Sequence, residues 1–399
     1  MSAAVPPRPT RAPAGPAIQT GPLALFAAAI AAGALSVGAA DWRLGVLVVI
    51  GGFLGLALYH GSFGFTAAYR RAFMVRDMGA VRAHIVMFAL AMVLFAPLLA
   101  EGQALGGGIN GALAPADGRV VVGAFLFGLG MQIAGGCASG TMFALGGGSL
   151  RMALTLVAFC GGGFWATFDL AFWNTLPGAG TVALTQELGW GGALALSLGV
   201  LAVLWLALAR LARGPQTPLS GGTAGRAAAL LRGPWPLLWA AAALAALNFA
   251  TLAVAGHPWS ITWGLTLWAA KGAQALGWAP ETSAFWADGF PARALALPLW
   301  RDTISVMNAA IILGAGLAAA LAGRLRASLT VAPGALLASV IGGLLLGYGA
   351  RLAYGCNIGA LFAGIASQSL HGWVWLAAAL AGTWTGIHLR PLFGLAKDR

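Results

Sequence analysis

Two short stretches of this chain place a cysteine directly after a glycine in an apolar sequence. The first is AGGCASGTMFAL, residues 134–145, and the second is YGCNIGALFAG, residues 354–364. A neutral thiol is a weak hydrogen-bond donor and a soft, polarizable group, so it can line a route for a sulfur anion without trapping it. The adjacent glycines permit the φ and ψ values of a chain that breaks a helix and turns back.

The two cysteine segments are copies of one another. Eight positions of residues 128–144 recur at a constant offset in residues 347–363. The matching residues are Gly128, Gly130, Ala134, Gly136, Cys137, Gly140, Phe143 and Ala144 in the first copy, and Gly347, Gly349, Ala353, Gly355, Cys356, Gly359, Phe362 and Ala363 in the second. Agreement at this density predicts a tandem duplication. Cys160 has no such partner, and we interpret it as a small buried hydrophobe.

The residues after each cysteine are apolar, but they are too few to cross a membrane before the next apolar run begins. We predict that they form re-entrant short helices, with each cysteine at the helix start. Helix N-termini attract anions, by about 0.3–1 kcal/mol for each exposed interaction. The residues predicted to line a central path are Cys137, Cys356, Gly136, Gly355, Ser139, Asn357, Gly140 and Gly359.

A second pair of irregular segments also matches between the two halves. They are HGSFGFTAAYRRAF, residues 60–73, and GHPWSITWGLTLWAAK, residues 256–271. We predict two further re-entrant loops, each forming a vestibule, with Arg70 and Arg71 at the inner mouth and Lys271 in the outer region. The other predicted vestibule residues are Thr66, Thr262 and Trp259. Alternatively, the basic residues only anchor the topology, and the Trp-rich stretch 259–300 is an interfacial aromatic belt.

The composition identifies the elements that must position these residues. The chain has 399 residues, of which 60% are hydrophobic and 8% are charged. This balance excludes a soluble domain and predicts a polytopic membrane protein. The net charge of +12 does not indicate a nucleic-acid partner, because the charges follow the connecting loops of a membrane protein.

We predict an all-α polytopic membrane protein built from an inverted repeat of two five-span halves with re-entrant short helices. An odd number of spans per half turns the second copy upside down, as in many secondary transporters. The predicted spans are 22–40, 43–60, 81–100, 119–135, 150–170, 191–212, 236–255, 302–323, 332–353 and 372–389.

The predicted organisation begins with a disordered tail, residues 1–21. The first repeat is 22–212, with its sixth span starting the second repeat and the boundary near 175–190. The second, inverted repeat is 191–390, and residues 391–399 form a cytoplasmic tail. Arginines cluster after spans two, six and eight, and most acids lie on the opposite side. The positive-inside rule therefore places both termini in the cytoplasm.

The paired GC segments, the stretch HPWSITWGLTLWAAK and the stretch FGFTAAYR resemble the YeeE/YedE family of sulfur-transport membrane proteins. The resemblance covers nearly the whole chain beyond the N-terminal tail. It implies a multi-pass protein of the bacterial inner membrane with a central thiol-lined path for thiosulfate, in which Cys137 and Cys356 are the path cysteines. A further family cysteine belongs in an FCF-like context, where this chain has Gly64.

The resemblance also implies a partner, a small cytosolic sulfur-carrier protein of the TusA type. We expect a permease that imports thiosulfate or a related inorganic sulfur anion, not an enzyme, with no cofactor and no metal. The sequence has no phosphate-binding G-x-x-x-x-G-K-[ST] motif.

Two alternatives remain open from the residues alone. A membrane thiol oxidoreductase would commonly use a C-x-x-C pair, which the sequence lacks. A soft-metal transporter would use Cys137 and Cys356 with Met131 or Met142, although metal sites usually recruit more ligands than this.

Overall fold

The computed structural model describes residues 17–221, 226–328 and 331–397. Most of the predicted N-terminal tail lies outside the described residues, as do the last two residues of the predicted C-terminal tail. The first helix begins at Thr20, two residues before the predicted span. The Gln19 side chain donates to the carbonyl of Leu325 at 3.1 Å, so the chain is already tied to the second half at this point.

The first half of the described chain consists of long helices and two short ones. They are α1 (Thr20–Gly38), α2 (Trp42–Gly61), α3 (Phe65–Val75), α4 (Gly79–Glu101), α5 (Gly118–Ala134), α6 (Ala138–Gly146), α7 (Leu150–Trp173) and α8 (Leu184–Leu211). Helix α8 is kinked at Gly189, which has a φ of 67°.

The second half also combines long helices with short ones. Its helices are α9 (Arg226–Arg232), α10 (Leu237–Ala255), α11 (Thr262–Ala275), α12 (Gly289–Ala296), α13 (Thr303–Leu321), α14 (Pro333–Leu352), α15 (Ala363–Ala366) and α16 (Leu370–Leu389). A π-helix, Asn357–Phe362, leads directly into α15. Single 3₁₀ turns lie at Pro280–Thr282, Leu299–Arg301 and Arg390–Phe393.

Short strands occupy the connections of the first half. Strands β1 (Gln103–Ala104) and β2 (Gly107–Gly108) form a small hairpin, and β3 (Pro115–Asp117) pairs with β4 (Gly178–Thr181) in antiparallel register. Sequence analysis did not predict these pairs, because strands of two to four residues leave no alternation to detect.

Aspartates begin three of the long helices. Asp41, Asp117 and Asp302 each accept a hydrogen bond from a backbone N–H of the following first turn, at 2.9, 2.9 and 2.8 Å. A carboxylate at this position satisfies a donor that has no partner within the helix and interacts favourably with the helix dipole. Three of the few acids in this apolar chain therefore have a local structural role.

The fold class is an all-α polytopic membrane protein, as predicted. Within the described residues, nine helical segments are long and apolar enough to cross a membrane. Each of the ten predicted spans coincides with a helix, but α16 is not among those nine segments. It carries His371, His388 and three tryptophans, which lower its apolarity. Its assignment as a span stays a prediction.

Equivalent helices of the two halves pack in matching pairs. Helix α14 packs on α7 and α16 packs on α5, while α13 packs on α2 and α10 packs on α4. The duplicated glycines lie at these contacts. A Cβ at Gly128 would lie 2.1 Å from the Ala379 carbonyl oxygen, and a Cβ at its counterpart Gly347 would lie 2.0 Å from that of Phe159. These helices touch through their backbones, which only glycine allows.

Candidate functional site

Each GC segment forms a tight turn between a long helix and a short one. Helix α5 ends at Gly135, which has a φ of 83°, and α6 begins after Cys137. Helix α14 ends near Ala353, followed by Tyr354 with a φ of 59° and Gly355 with a φ of 153°. Positive φ values are costly for residues with a Cβ, so the glycines allow the chain to reverse here.

Both cysteines lie at the N-terminus of a short helix. The carbonyl of Cys137 accepts from the N–H of Thr141 at 2.8 Å, and that of Cys356 accepts from the N–H of Ala360 at 2.9 Å. The predicted short helices are therefore present. The second one differs from expectation because it is a π-helix, a form that occurs mostly as single turns and frequently at functional sites.

The structure places both thiols in the protein interior. Cys137 and Cys356 are each 1% exposed and belong to one continuous core cluster, which also contains Tyr69 of α3. All three cysteines are free, and Cys160 is only partly buried, away from these turns in sequence and packed against the edge of the cluster.

Polar groups next to the thiols differ between the two turns. The Cys137 sulfur lies 3.5 Å from the Ser139 hydroxyl, whereas the Cys356 sulfur accepts from the N–H of Ile358 at 3.4 Å. The side chain of Asn357 is fully buried, and neither its Oδ1 nor its Nδ2 has a partner among the described residues. Buried amides are normally hydrogen-bonded, so this group is available to a ligand or water.

The other glycines of the predicted path keep the space around the thiols small. A Cβ at Gly140 would lie 3.4 Å from the Cys137 sulfur, and one at Gly359 would lie 3.0 Å from the Ser260 hydroxyl. Gly136 faces Thr141, whose buried hydroxyl has no partner among the described residues. The sequence did not single out Ser260 or Thr141.

Trp375 of α16 supports the second GC turn. Its indole is fully buried and donates from Nε1 to the Gly355 carbonyl at 3.3 Å. Its ring packs against Phe127 with a centroid separation of 5.4 Å. This contact joins α16, α5 and the GC turn, and no local sequence pattern pointed to it.

The predicted vestibule segments form the short helices α3 and α11. Thr66 and Thr262 lie in their first turns, and both side chains are largely buried. The Thr66 carbonyl accepts from Gln132 Nε2 at 3.0 Å, and its hydroxyl has no partner among the described residues. Trp259 is fully buried, and its backbone N–H donates to Asn248 Oδ1 at 2.7 Å, so it packs within the core before α11.

Two of the predicted basic residues have clear structural partners. Arg71 forms an ion pair with Asp77 at 2.7 Å, and Asp77 also accepts from the backbone N–H groups of Gly79 and Thr217. Lys271 Nζ donates to the Leu295 carbonyl at 2.6 Å, at the end of α12. These contacts fix α3 and α12 against their neighbours.

Arg70 belongs instead to a group of arginines at the end of α5. Its Nη1 donates to Gln132 Oε1 at 3.3 Å, Arg390 Nη1 donates to the Gln132 carbonyl at 2.7 Å, and Arg151 Nη2 donates to the Ala134 carbonyl at 2.7 Å. Burial, together with repulsion by Arg70 and Arg151, lowers the pKa of Arg390 to about 10. Three guanidinium groups therefore converge a few residues before Cys137.

Sequence analysis named Arg70 in this group but missed Arg151 and Arg390. The available signal was the position of Arg151 at the second residue of an apolar helix, because charged residues within membrane segments usually face the protein interior. Arg390 follows the last predicted span, and its approach to Gln132 depends on how α16 packs against α5.

Comparison with known proteins identifies a family that spans these segments. The family model described as Sulphur transport matches residues 60–385. The thiosulfate transporter TsuA of Spirochaeta thermophila is 29% identical over 357 residues, which is 85% of this chain and 96% of that protein. The probable transporters YedE of Escherichia coli and Salmonella typhimurium are 45% and 47% identical over 60 and 57 residues, about 14% of the chain in both comparisons.

Proposed function

The chain belongs to the Sulphur transport family, and from this membership we propose that it is a bacterial inner-membrane permease that imports thiosulfate or a related inorganic sulfur anion. A multi-pass membrane protein with a sulfur-anion transport role follows directly from the family and the apolar helices. The direction of transport, the membrane and the thiol-lined path are the proposed refinements.

One observation supports the proposal, which is the burial of two similarly placed thiols in a single core cluster. Cys137 and Cys356 each precede a short helix, and both are buried in that cluster. Backbone N–H groups at two helix starts favour a negative charge, and the soft sulfur atoms contact it without a fixed opposite charge. An anion held this weakly can also leave, which conduction requires.

The remaining path residues give the anion polar contacts on the way. Asn357 and Ser139 offer side-chain groups beside the thiols, while Gly136, Gly140, Gly355 and Gly359 keep the two turns compact around them. Thr66 and Arg70 line the inner vestibule, and Thr262 lies in the outer one. In this proposal Trp259, Arg71 and Lys271 hold the vestibule walls in place through the contacts described above.

The matching helix pairs suit two inverted halves, and the positive-inside rule places both termini in the cytoplasm. Under this arrangement the arginines near Gln132 face the cytoplasm. A basic inner surface suits a small sulfur-carrier protein of the TusA type, which would accept the imported sulfur. Such a partner would keep the gradient directed inwards without any nucleotide hydrolysis.

The test is uptake of radiolabelled thiosulfate by proteoliposomes that contain the purified protein. We expect Cys137→Ala and Cys356→Ala each to lower the rate by at least roughly tenfold, since each removes one of two groups on a single path. Cys160→Ala is the matched control and should transport normally. Normal uptake by both path variants would remove the thiols from the mechanism.

A further inference from the structure

A cavity of about 630 Å³ lies beside the segment that joins α10 to α13, apart from the cysteine turns. Its charged and polar lining includes Arg293, Arg301, Arg351, His257, Asp302 and Thr303. Arg293 and Arg301 are exposed at its rim, while Arg351 is only partly exposed. A volume of this size accommodates a small anion together with part of its hydration shell.

The charges that line this cavity are not balanced. Asp302 is its carboxylate, and both of its oxygens are engaged: Oδ1 accepts from Trp263 Nε1 at 3.1 Å and Oδ2 accepts from the N–H of Ser305 at 2.8 Å. Among the described residues, none of the three lining arginines forms an ion pair with an acid. The cavity therefore presents an excess of positive charge.

Two aromatic rings hold the Arg351 guanidinium in position, and its Nε–H group is unused. Its guanidinium lies 4.7 Å from the centre of the Phe285 ring and 5.8 Å from that of Trp263. Its Nε is buried and has no hydrogen-bond partner among the described residues. Aromatic faces orient a guanidinium while leaving its N–H edge free, and that edge matches the oxygens of an oxyanion.

Arg351 also joins this cavity to a neighbouring one. The second cavity, of about 440 Å³, shares Arg351 and Phe285 as wall residues and is lined further by Arg119, Asn174 and Ser283. Arg351 lies in the last turn of α14, the helix that leads into the turn of Cys356. An anion bound at Arg351 would therefore lie beside the helix end that precedes the second GC turn.

We propose that the first cavity is an oxyanion-binding site, in which Arg351, Arg293 and Arg301 hold the SO₃ group of a sulfur oxyanion before it reaches the thiols. This inference rests on the proposed transport function and adds a division of roles. The guanidinium groups select for an oxyanion by charge and geometry, and the thiols further along contact its sulfur.

The experiment compares thiosulfate binding and thiosulfate uptake in the same set of full-length variants. Binding is measured by titration calorimetry in detergent, and uptake is measured as initial rates in proteoliposomes over a range of concentrations. We expect Arg351→Gln to weaken binding roughly tenfold and to raise the KM for uptake with little change in the maximal rate. Arg301→Gln, at the exposed rim, should weaken binding severalfold without any risk to folding.

The matched control is Arg43→Gln, the same chemical change at a partly buried arginine that does not line the cavity and donates to the Leu105 carbonyl. It should leave binding and uptake unchanged. Unaltered thiosulfate binding in both Arg351→Gln and Arg301→Gln would overturn the site, as would a lower maximal rate with an unchanged KM.

The outcome for this site is separable from that for the thiol path. Cys137→Ala should still bind thiosulfate in the arginine-lined cavity while failing to transport it. If Cys137→Ala and Cys356→Ala transport normally, the thiol path is wrong, yet the binding loss in Arg351→Gln would still establish the cavity as an anion site.

Discussion

The two GC turns share a plan but differ in local structure. The first runs through Gly135 and Gly136 into an ordinary α-helix with Ser139 near the sulfur. The second runs through Tyr354 and Gly355, both with positive φ, into a π-helix that begins with the unpartnered amide of Asn357. Both turns have the thiol and the helix start, whereas the polar group beside them differs. The two turns are therefore alike in the placement of their sulfur atoms and different in their hydrogen bonds.

The largest expected effect is a difference between the two glycines that precede the cysteines, Gly355 and Gly136. A Cβ at Gly355 would lie 2.8 Å from the backbone nitrogen of Ala360, and its φ of 153° is strained for other residues. Gly136 has no such φ, and a Cβ there would lie 3.2 Å from the Thr141 hydroxyl. We expect Gly355→Ala to abolish thiosulfate uptake and to destabilise the protein by about 1–3 kcal/mol.

Gly136→Ala should reduce uptake only modestly, because a side chain can yield where a backbone cannot. The two variants are compared by their thermal unfolding in detergent and by their rates of thiosulfate uptake. Equal stability and equal uptake in the two variants would show that the second turn has no special backbone requirement.

The next effect concerns Asn357, the polar group present only in the second turn. We expect Asn357→Ala to slow uptake roughly tenfold, since one charge-assisted hydrogen bond to the anion is lost. The protein should remain as stable as the parent, because no described residue loses a hydrogen bond. Ser139→Ala is the parallel change in the first turn and should have a smaller effect on the rate. If Ser139→Ala were the more damaging variant, the asymmetry would be reversed.

A third prediction adds a thiol to the first half. When the vestibule segments are aligned, Gly64 corresponds to Ser260, whose hydroxyl lies near Gly359. Gly64 has an extended backbone, with φ −119° and ψ 129°, and a Cβ there would meet nothing within 4 Å. Gly64→Cys should therefore fold normally and place a sulfur where the family resemblance locates a third path cysteine.

We expect Gly64→Cys to raise the rate of thiosulfate uptake severalfold, while Gly64→Ser should leave the rate near that of the parent. Uptake rates in proteoliposomes compare the two variants at equal protein content. A Gly64→Cys protein that is no faster than Gly64→Ser would mean that two thiols suffice.

The smallest expected effect is on stability, and it concerns the contacts that hold α3 and α11 in place. Burial alone would raise the pKa of Asp77, but hydrogen bonds from Thr217, Arg71 and Gly79 outweigh it and lower this pKa below its usual value. Because the folded-state pKa is lowered, the stabilisation is present above the unfolded-state pKa of about 3.9 and is lost as the pH falls through the folded value. Helix α11, held by Lys271, has no comparable acid dependence.

We expect Asp77→Asn to lower the free energy of unfolding by about 1–2 kcal/mol at pH 7 and to reduce the loss of stability on acidification. Thermal unfolding in detergent, followed from pH 7 to about pH 3 across the reference pKa of aspartate, measures both. An unchanged acid dependence in Asp77→Asn would assign the acid sensitivity to other carboxylates.

Much of the architecture could be predicted from apolar runs and from the duplication. The long helices coincide with the predicted spans, the family resemblance is confirmed, and Cys137 and Cys356 lie at the starts of short helices. These features are local, because they depend on apolar length, on glycine and on spacing along the chain.

The rest depends on contacts between distant segments. The π-form of the helix at Asn357, the support of Gly355 by Trp375 and the meeting of Arg151 and Arg390 near Gln132 each require a neighbour far away in sequence. The cavity around Arg351 likewise combines α14 with residues of the segment 257–304. No single window of the sequence contains these juxtapositions.

The backbone contacts at Gly128 and Gly347 have a consequence for how an anion could cross. Where two helices touch main chain to main chain, sliding or rotating one past the other breaks close van der Waals contacts. We therefore expect helices α5, α7, α14 and α16 to stay together as one frame and not to rock between inward-open and outward-open states. Any gating motion falls to the short helices and side chains inside that frame, so opening and closing would be local and small in amplitude.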